Sequence, residues 1–240
     1  MYLAYHSPQE SVAQQLFWTV RRRVRKARDT PARDGGPADI GIDPTAARWY
    51  VAYQNGEPST MLIRAAESVL IVIDMQERLV PAMQEPGRTI RNTRRLIAAT
   101  RELDVPVLLT EQYPQGLGRT VRDIAEVSGD APVLEKLHFS CMEDAGFTAA
   151  FRALGRRQAV IAGMEAHICV MQTAASLMEE DYEVFVVSDA TASRTAESER
   201  ACIDRLGALG AGIVTTEMAI YEWLGQAGTP AFKRLLPLVK

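Results

Sequence analysis

The sequence predicts an α/β fold: a doubly wound parallel sheet of six strands with helices packed on both faces. Three observations support this prediction. Short apolar runs alternate with helical segments from about residue 61 to the end of the chain. The runs are almost continuously apolar, which is typical of parallel strands covered on both sides. Right-handed crossovers between such strands make the doubly wound arrangement the expected topology.

The predicted elements follow one another in regular order. Six runs of apolar, mostly β-type residues are the expected strands, at residues 68–73, 105–109, 132–134, 159–162, 184–187 and 212–215. Helical spacing of apolar residues covers residues 88–103, 120–125, 146–154, 167–180, 195–209, 217–224 and the tail from Pro230. Residues 112–119, which contain Pro and Gly, are expected to form a loop.

The first 60 residues differ from the rest in composition. A run of Arg and Lys at residues 21–28 precedes a stretch rich in Pro, Gly and Asp at residues 29–44. We expect residues 1–60 to be a poorly ordered extension and residues 61–240 to be the folded domain. The alternatives are a basic arm that docks onto a partner or an anionic surface, and translation upstream of a natural start at Met61.

Composition limits the classes of function. The 240 residues are enough for one sizeable domain with a full core, and the net charge of −3 argues against a nucleic-acid partner. No run approaches the roughly 18 apolar residues of a membrane span, and the N-terminus lacks a signal-peptide pattern. The three cysteines lack metal-type spacing. We therefore expect a cytoplasmic protein with free thiols and no membrane association.

Cys169 is the leading candidate nucleophile. It lies at the first turn of the helix predicted after the strand at residues 159–162. A helix amino terminus carries unpaired N–H groups and partial positive charge, which favour the thiolate form. The alternative is that Cys169 is a small buried residue packed beneath the helix.

Two residues with complementary chemistry follow other strand ends, where doubly wound sheets bind their ligands. Asp74 follows the first strand and Lys136 follows the third. An ammonium group favours a nearby thiolate, and a carboxylate can accept the thiol proton and return it to a leaving amine. N–H groups of the turn before the helix can hold an oxyanion. The alternatives are a turn or capping role for Asp74 and a solvated surface charge for Lys136.

Several motifs resemble the isochorismatase-like cysteine hydrolase superfamily, and most closely its isochorismatase-domain-containing branch. The similarity runs in order through the chain from about residue 61 to residue 240. The matching segments are VLIVIDMQERL (69–79), LLTEQYPQGLGRTV (108–121), VLEKLHFSCM (133–142), GMEAHICVMQTAASL (163–177), VFVVSDATASR (184–194), GIVTTEMAIYEWLG (212–225) and AFKRL (231–235).

The resemblance implies a catalytic triad of Asp74, Lys136 and Cys169 on a six-stranded parallel sheet. It also implies a cis peptide bond between Met164 and Glu165, which directs the backbone N–H groups of Glu165 and Cys169 at the reacting carbonyl oxygen. Residues 1–60 have no counterpart in the family pattern.

The chain departs from two members of the superfamily. Nicotinamidases carry an Asp-x-His motif and a further His that bind a metal, whereas the three histidines here, His6, His138 and His167, are scattered. We therefore predict no metal and no other cofactor. Isochorismatases of siderophore pathways lack the nucleophilic cysteine. The presence of Cys169 favours covalent thiol chemistry over vinyl-ether hydrolysis.

Four other residues are candidates for substrate binding. Gln112 and Tyr113 follow the second strand, Phe139 follows Lys136, and His167 precedes Cys169 by two residues. The alternative for the first three is that they only pack the loop. The alternative for His167 is that it acts as the base of a Cys-His pair.

Three residues are weaker candidates. Cys141 is a rival nucleophile because it lies five residues after Lys136, but it lacks the strand-to-helix turn. Cys202 lies in the middle of a predicted helix. Asp189 lies at the end of the fifth predicted strand, where it can orient a turn or reach the site. We expect structural roles for both.

The sequence thus predicts a metal-independent cysteine hydrolase that cleaves an amide or carbamoyl-type C–N bond of a small molecule through a thioester. The family resemblance also leads us to expect a homo-oligomer. The alternative function is a catalytically idle binding or scaffold protein, because the branch that the chain resembles includes members without an assigned substrate.

Overall fold

The computed structural model describes residues 62–239. The predictions for residues 1–60 lie outside this range. All six predicted strands are present and pair in parallel, in the order β3-β2-β1-β4-β5-β6. This confirms the predicted fold class. The strands are β1 (Ser68–Ile73), β2 (Val107–Gln112), β3 (Val133–Lys136), β4 (Gln158–Met164), β5 (Glu183–Ala192) and β6 (Gly212–Val214).

Eight α-helices connect and follow the strands in the described part of the chain. They are α1 (Pro86–Glu102), α2 (Pro114–Leu117), α3 (Arg122–Ser128), α4 (Ala145–Ala153), α5 (Met171–Glu179), α6 (Ala196–Leu209), α7 (Thr216–Leu224) and α8 (Pro230–Val239). Three short 3₁₀ turns lie at Ala65–Glu67, Val80–Ala82 and Cys141–Glu143, and a π-helical turn lies at Ala166–Val170. None of the described helices is long and apolar enough to cross a bilayer.

The helices cover both faces of the sheet because the strands present apolar side chains in both directions. In β1, Leu70 and Val72 face one core, which α1, α3, α7 and α8 close. Val69 and Ile71 face the other core, which α4, α5 and α6 close. Every residue of β1 is buried, as a central strand of such a sheet requires.

Five of the six strands differ from their predicted bounds, and β2 and β5 differ most. Residues 105–109 were predicted for the second strand, but β2 begins only after Pro106, which has no N–H to donate to a neighbouring strand. It then continues to Gln112, whose position in the ladder is opposite Lys136. The fifth strand was predicted at residues 184–187, whereas β5 extends to Ala192 through an irregularity. The loop predicted at residues 112–119 contains the four-residue helix α2.

Gly163 allows β1 and β4 to approach closely at their carboxyl ends. Its φ is +121°, and a Cβ atom there would lie 2.1 Å from the carbonyl oxygen of Ile73. Only glycine fits both the backbone conformation and the space. The close approach brings the residue after β1, Asp74, next to the turn that follows β4.

Candidate active site

Asp74, Lys136 and Cys169 lie together at the carboxyl edge of the sheet. Asp74 follows β1 in a left-handed conformation with a φ of 50°, and Lys136 is the last residue of β3. Cys169 lies in the π-helical turn after β4. All three are buried, with exposed fractions of 0%, 2% and 5%. A carboxylate, an ammonium group and a thiol that are far apart in the chain therefore lie together, shielded from solvent.

The two carboxylate oxygens of Asp74 have different partners. Oδ1 accepts a hydrogen bond of 2.7 Å from the hydroxyl of Thr110 on β2. Oδ2 lies 2.8 Å from the ammonium nitrogen of Lys136, but it accepts no hydrogen bond of good geometry from the described residues. Thr110 thus fixes one oxygen and leaves the other beside the charged partner with unused acceptor capacity.

Lys136 is held in place by several oxygens. Its ammonium group donates to Oε1 of Gln112 at 2.6 Å and to the carbonyls of His138 and Phe139 at 3.3 and 3.4 Å. Burial opposes the charge on Lys136, but the nearby Asp74 outweighs it, so the pKa of Lys136 is raised. Lys136 is therefore a permanent cation at neutral pH.

The thiol of Cys169 lies in a strongly desolvated environment. Burial raises the pKa of Cys169, and the negative charge of Asp74 raises it further, while Lys136 opposes both effects only in part. Burial removes the solvation that a thiolate needs, so it opposes the thiolate form that the helix amino terminus was expected to favour.

The turn that carries Cys169 has an unusual backbone. The peptide bond between Met164 and Glu165 is cis. The carbonyl oxygen of Glu165 accepts hydrogen bonds from the N–H groups of Ile168 and Val170 at 3.0 and 3.2 Å. The carboxylate of Glu165 accepts a bond of 2.7 Å from Nε of Arg194. The turn is thus fixed through both its backbone and its first side chain.

The four residues predicted to bind substrate occupy different environments. Gln112 is buried within the cluster: its amide oxygen lies 4.0 Å from Sγ of Cys169, and its amide nitrogen donates to the carbonyl of Leu137 at 2.7 Å. Tyr113 and Phe139 are both exposed at the same edge of the sheet. His167 is half-buried, and its Nδ1 lies 2.9 Å from the hydroxyl of Ser193. His167 is therefore hydrogen-bonded to Ser193 through this nitrogen.

The weaker candidates also lie in the described part of the chain. Cys141 is fully buried in a 3₁₀ turn, and burial followed by the charge of Asp74 raises its pKa to about 12. Cys202, on α6, donates from its thiol to the carbonyl of Ala166 at 2.9 Å and so contacts the turn that carries Cys169. The carboxylate of Asp189 accepts from the N–H and hydroxyl of Thr216 at 2.7 and 2.9 Å, which anchors the start of α7.

Three residues with clear roles at this edge were not singled out from the sequence: Thr110, Ser193 and Arg194. Thr110 was visible only as a polar residue closing a strand. Ser193 and Arg194 lie six and seven residues beyond the predicted end of their strand, so the apolar pattern did not connect them with the turn at Glu165. Within residues 62–239, no group of three or more His, Cys, Asp or Glu side chains is arranged to hold a metal ion.

The chain belongs to the isochorismatase family. The model of the isochorismatase domain matches residues 68–218, which include all six strands and the cluster of Asp74, Lys136 and Cys169. The family predicted from the sequence motifs is thereby confirmed. The family is one of isochorismatase-like hydrolases.

Individual relatives support this assignment. Isochorismatase domain-containing protein 1 of Salmo salar is 34% identical over 175 residues, which are 73% of this chain and 62% of that protein. The secreted isochorismatase effector Isc1 of Phytophthora sojae is 35% identical over 177 residues, or 72% of this chain and 84% of that protein. The structure of the MAR1 ribonuclease of Caenorhabditis elegans is 33% identical, with a TM-score of 0.70, and the match covers 74% of this chain and 92% of that one. This chain thus spans less than two thirds of the length of the Salmo salar protein.

Proposed function

We propose that the protein is a metal-independent cysteine hydrolase that cleaves an amide or carbamoyl-type C–N bond of a small molecule. One observation carries the proposal: a thiol, a carboxylate and an ammonium group are buried together at the edge of the sheet where such folds bind ligands. Burying an ion pair costs free energy, which a functional role would explain. Oδ2 of Asp74 has acceptor capacity left, so it is able to take a proton during the reaction.

In the first half of the reaction, Cys169 attacks the carbonyl carbon of the substrate. Because the raised pKa of Cys169 keeps the thiol neutral at rest, Asp74 accepts its proton as the S–C bond forms. The N–H groups of Glu165 and Cys169 stabilise the oxygen that becomes negative. Lys136 holds the carboxylate in place and balances its charge before the proton arrives.

In the second half, the tetrahedral intermediate collapses and the C–N bond breaks. Asp74 returns the proton to the departing amine, and Cys169 is left as a thioester. A water molecule then attacks the thioester carbon, with Asp74 taking one proton from the water. The acid product leaves as the C–S bond breaks, and the proton returns to the sulfur. Neither half requires a metal or a cofactor.

The charges around Cys169 favour an uncharged substrate. Asp74 is paired with Lys136, and Glu165 is paired with Arg194, so each of these four charges already has a partner. Exposed apolar side chains, Tyr113, Leu137 and Phe139, follow β2 and β3 at this edge. We therefore propose a small neutral amide with an apolar part that contacts these side chains.

A panel of small amides and carbamoyl compounds tests the proposed reaction. Ammonia or amine release is measured with the wild type and with Cys169→Ala, and mass spectrometry of the quenched wild type looks for an acyl group on Cys169. Turnover by the wild type alone, with acylation of Cys169, supports the proposal. Equal turnover by both proteins contradicts it. A single-stranded RNA oligonucleotide belongs in the panel, because a relative is the MAR1 ribonuclease.

A catalytically idle binding or scaffold protein is the second candidate. The observation in its favour is the raised pKa of Cys169, because burial also raises the pKa of a cysteine that has no catalytic role. An idle protein would bind small amides, detected by thermal shift, without releasing amine and without acylation of Cys169.

Assembly and location are further proposals. We propose that the protein forms a homo-oligomer, because apolar side chains of Val133, Leu137 and Phe139 are exposed on and after the edge strand β3. Light scattering of the 240-residue protein gives its mass in solution, and a monomer at micromolar concentration would contradict the proposed oligomer.

We also propose a cytoplasmic location, which fractionation of the source cells tests. Recovery of the protein outside the cells would contradict it, and a relative in Phytophthora sojae is a secreted effector.

A further inference from the structure

The end of β5 runs directly alongside the turn that carries Cys169. The parallel ladder between β4 and β5 contains an irregularity: Ile161 lies opposite Val186, but Gly163 lies opposite Thr191. After this irregularity the pairing resumes and reaches Met164, opposite Ala192. The next residues on the two strands, Glu165 on one and Ser193 on the other, therefore leave the sheet side by side.

Two consecutive residues after β5 contact two residues of the turn. Nε of Arg194 donates to the carboxylate of Glu165 at 2.7 Å, and the hydroxyl of Ser193 lies 2.9 Å from Nδ1 of His167. Ser193 is itself fully buried, and its carbonyl oxygen accepts from the N–H of Gln84 at 2.9 Å. The turn is thus attached to a rigid part of the sheet edge rather than to a loose loop.

The burial of the Glu165 carboxylate is costly, and the proposed reaction uses only the backbone N–H of this residue. Its side chain is 11% exposed, whereas that of Arg194 is 57% exposed. A buried carboxylate is stable only with a partner, and an apolar residue would pack at this position without that requirement. The pair is therefore best explained by the position that it imposes on the backbone of Glu165.

We propose that Arg194, supported by Ser193, is a positioning residue for the oxyanion-binding N–H of Glu165. The inference depends on the proposed function, in which that N–H stabilises the tetrahedral intermediate. A donor must lie about 2.7–3.1 Å from the developing oxyanion, and a small displacement sacrifices most of its effect. Because Arg194 holds the side chain of Glu165, it also restricts rotation of the peptide unit that carries the donor.

This role makes a specific kinetic prediction. An interaction that acts only on the oxyanion stabilises the transition state and not the bound substrate, so its loss lowers kcat and leaves KM almost unchanged. We expect Arg194→Ala to lower kcat by about 10- to 100-fold, somewhat less than the loss of a whole oxyanion donor. Arg194→Lys, which keeps a cation near Glu165, should recover part of the rate.

An ion pair with an equally exposed arginine provides the control. Arg152 donates to Glu180 at 2.8 Å, and its side chain is 56% exposed, close to the value for Arg194. This pair joins α4 and α5 outside the turn. Arg152→Ala should therefore leave kcat and KM as in the wild type. An equal loss in both variants would overturn the proposed role of Arg194.

Two chemical probes test the role without knowledge of the natural substrate. Butyraldehyde adds to Cys169: the S–C bond forms, the carbonyl π electrons move to oxygen, and the thiol proton ends on that oxygen. This adduct uses the oxyanion-binding N–H groups. Iodoacetamide alkylates Cys169: the S–C bond forms as iodide leaves the CH₂ carbon, and the thiol proton passes to solvent. No charge develops on a carbonyl oxygen in this step. The first probe depends on the position of Glu165, and the second does not.

The experiment measures both probes on the wild type, Arg194→Ala, Arg194→Lys and Arg152→Ala. Protection of the Cys169 peptide from alkylation, followed by mass spectrometry, gives the aldehyde affinity. We expect Arg194→Ala to weaken aldehyde binding at least tenfold at an unchanged alkylation rate. Unchanged aldehyde binding, or an equal fall in both quantities, overturns the proposal. If the wild type binds the aldehyde in this manner but hydrolyses no amide, the proposed function fails and the positioning role stands.

Discussion

Cys169 and Cys141 are two buried thiols with the same charged neighbours and different backbones. Asp74 raises the pKa of both and Lys136 lowers the pKa of both, although burial has the largest effect on each. Cys141 lies in a 3₁₀ turn and its N–H is bound to the hydroxyl of Thr173 at 3.0 Å. Cys169 lies in the π-helical turn after β4. The charges alone therefore do not distinguish the two thiols, and the proposed choice of Cys169 as the nucleophile rests on the turn that carries it.

Replacement of the two cysteines gives the sharpest contrast. We expect Cys169→Ala to lower kcat/KM on an amide substrate by at least about a thousandfold, because the step that forms the thioester is lost. Cys141→Ala should stay within about threefold of the wild type, since the cavity it leaves costs stability more than rate. Initial rates of amine release, compared at equal concentrations of folded protein, measure both. A larger loss in Cys141→Ala would reverse the assignment of the nucleophile.

Much of the fold followed from the sequence because the strands are apolar runs that end in polar residues. The six strands and the family were both predicted, and β1 has the predicted bounds. The extension of β2 through Thr110 to Gln112 was missed because polar residues follow the apolar run. There the hydroxyl of Thr110 donates to Asp74 and the N–H of Gln112 donates to the amide oxygen of Gln76, both just after β1. The irregularity in β5 was missed because periodicity records side-chain polarity and not register. The raised pKa of Cys169 depends on burial in three dimensions, which a helix-terminus argument does not contain.

The cation shared by the two thiols can be removed to test how much its buried ion pair with Asp74 stabilises the fold. Lys136→Met leaves Asp74 buried without its ionic partner, which we expect to destabilise the fold by about 3–5 kcal/mol and to abolish turnover. Lys233→Met changes an exposed lysine on α8 in the same manner and should alter stability by less than about 0.5 kcal/mol. Urea unfolding followed by circular dichroism provides the two free energies. Similar small changes in both variants would mean that the buried pair contributes little.

A matched pair of buried threonines separates the support of Asp74 from ordinary packing. Thr110 donates to Asp74 at 2.7 Å, whereas the hydroxyl of Thr93 on α1 has no partner among the described residues. Thr110→Val should cost about 1–3 kcal/mol of unfolding free energy, because it leaves a charged acceptor unsatisfied. Thr93→Val should be neutral or slightly stabilising. Thr110→Ser keeps the hydroxyl and should recover most of the activity lost in Thr110→Val, which a loss of packing alone would not explain.

Alkaline pH tests the burial of Cys141. The pKa of this thiol rises from 9.0 to about 12 on folding, so above pH 9 the unfolded chain releases a proton that the folded protein retains. The stabilisation is therefore complete below pH 9 and is lost as the pH rises towards 12. Each pH unit in this window removes about 1.4 kcal/mol for one such group. Between pH 9 and 10.5, the unfolding free energy of Cys141→Ala should fall less steeply than that of the wild type. The cavity left by the substitution lowers stability equally at every pH and does not change this slope. Equal slopes would mean that Cys141 is solvated in the folded protein, and the contrast with Cys169 would then rest on exposure rather than on the backbone of the turn.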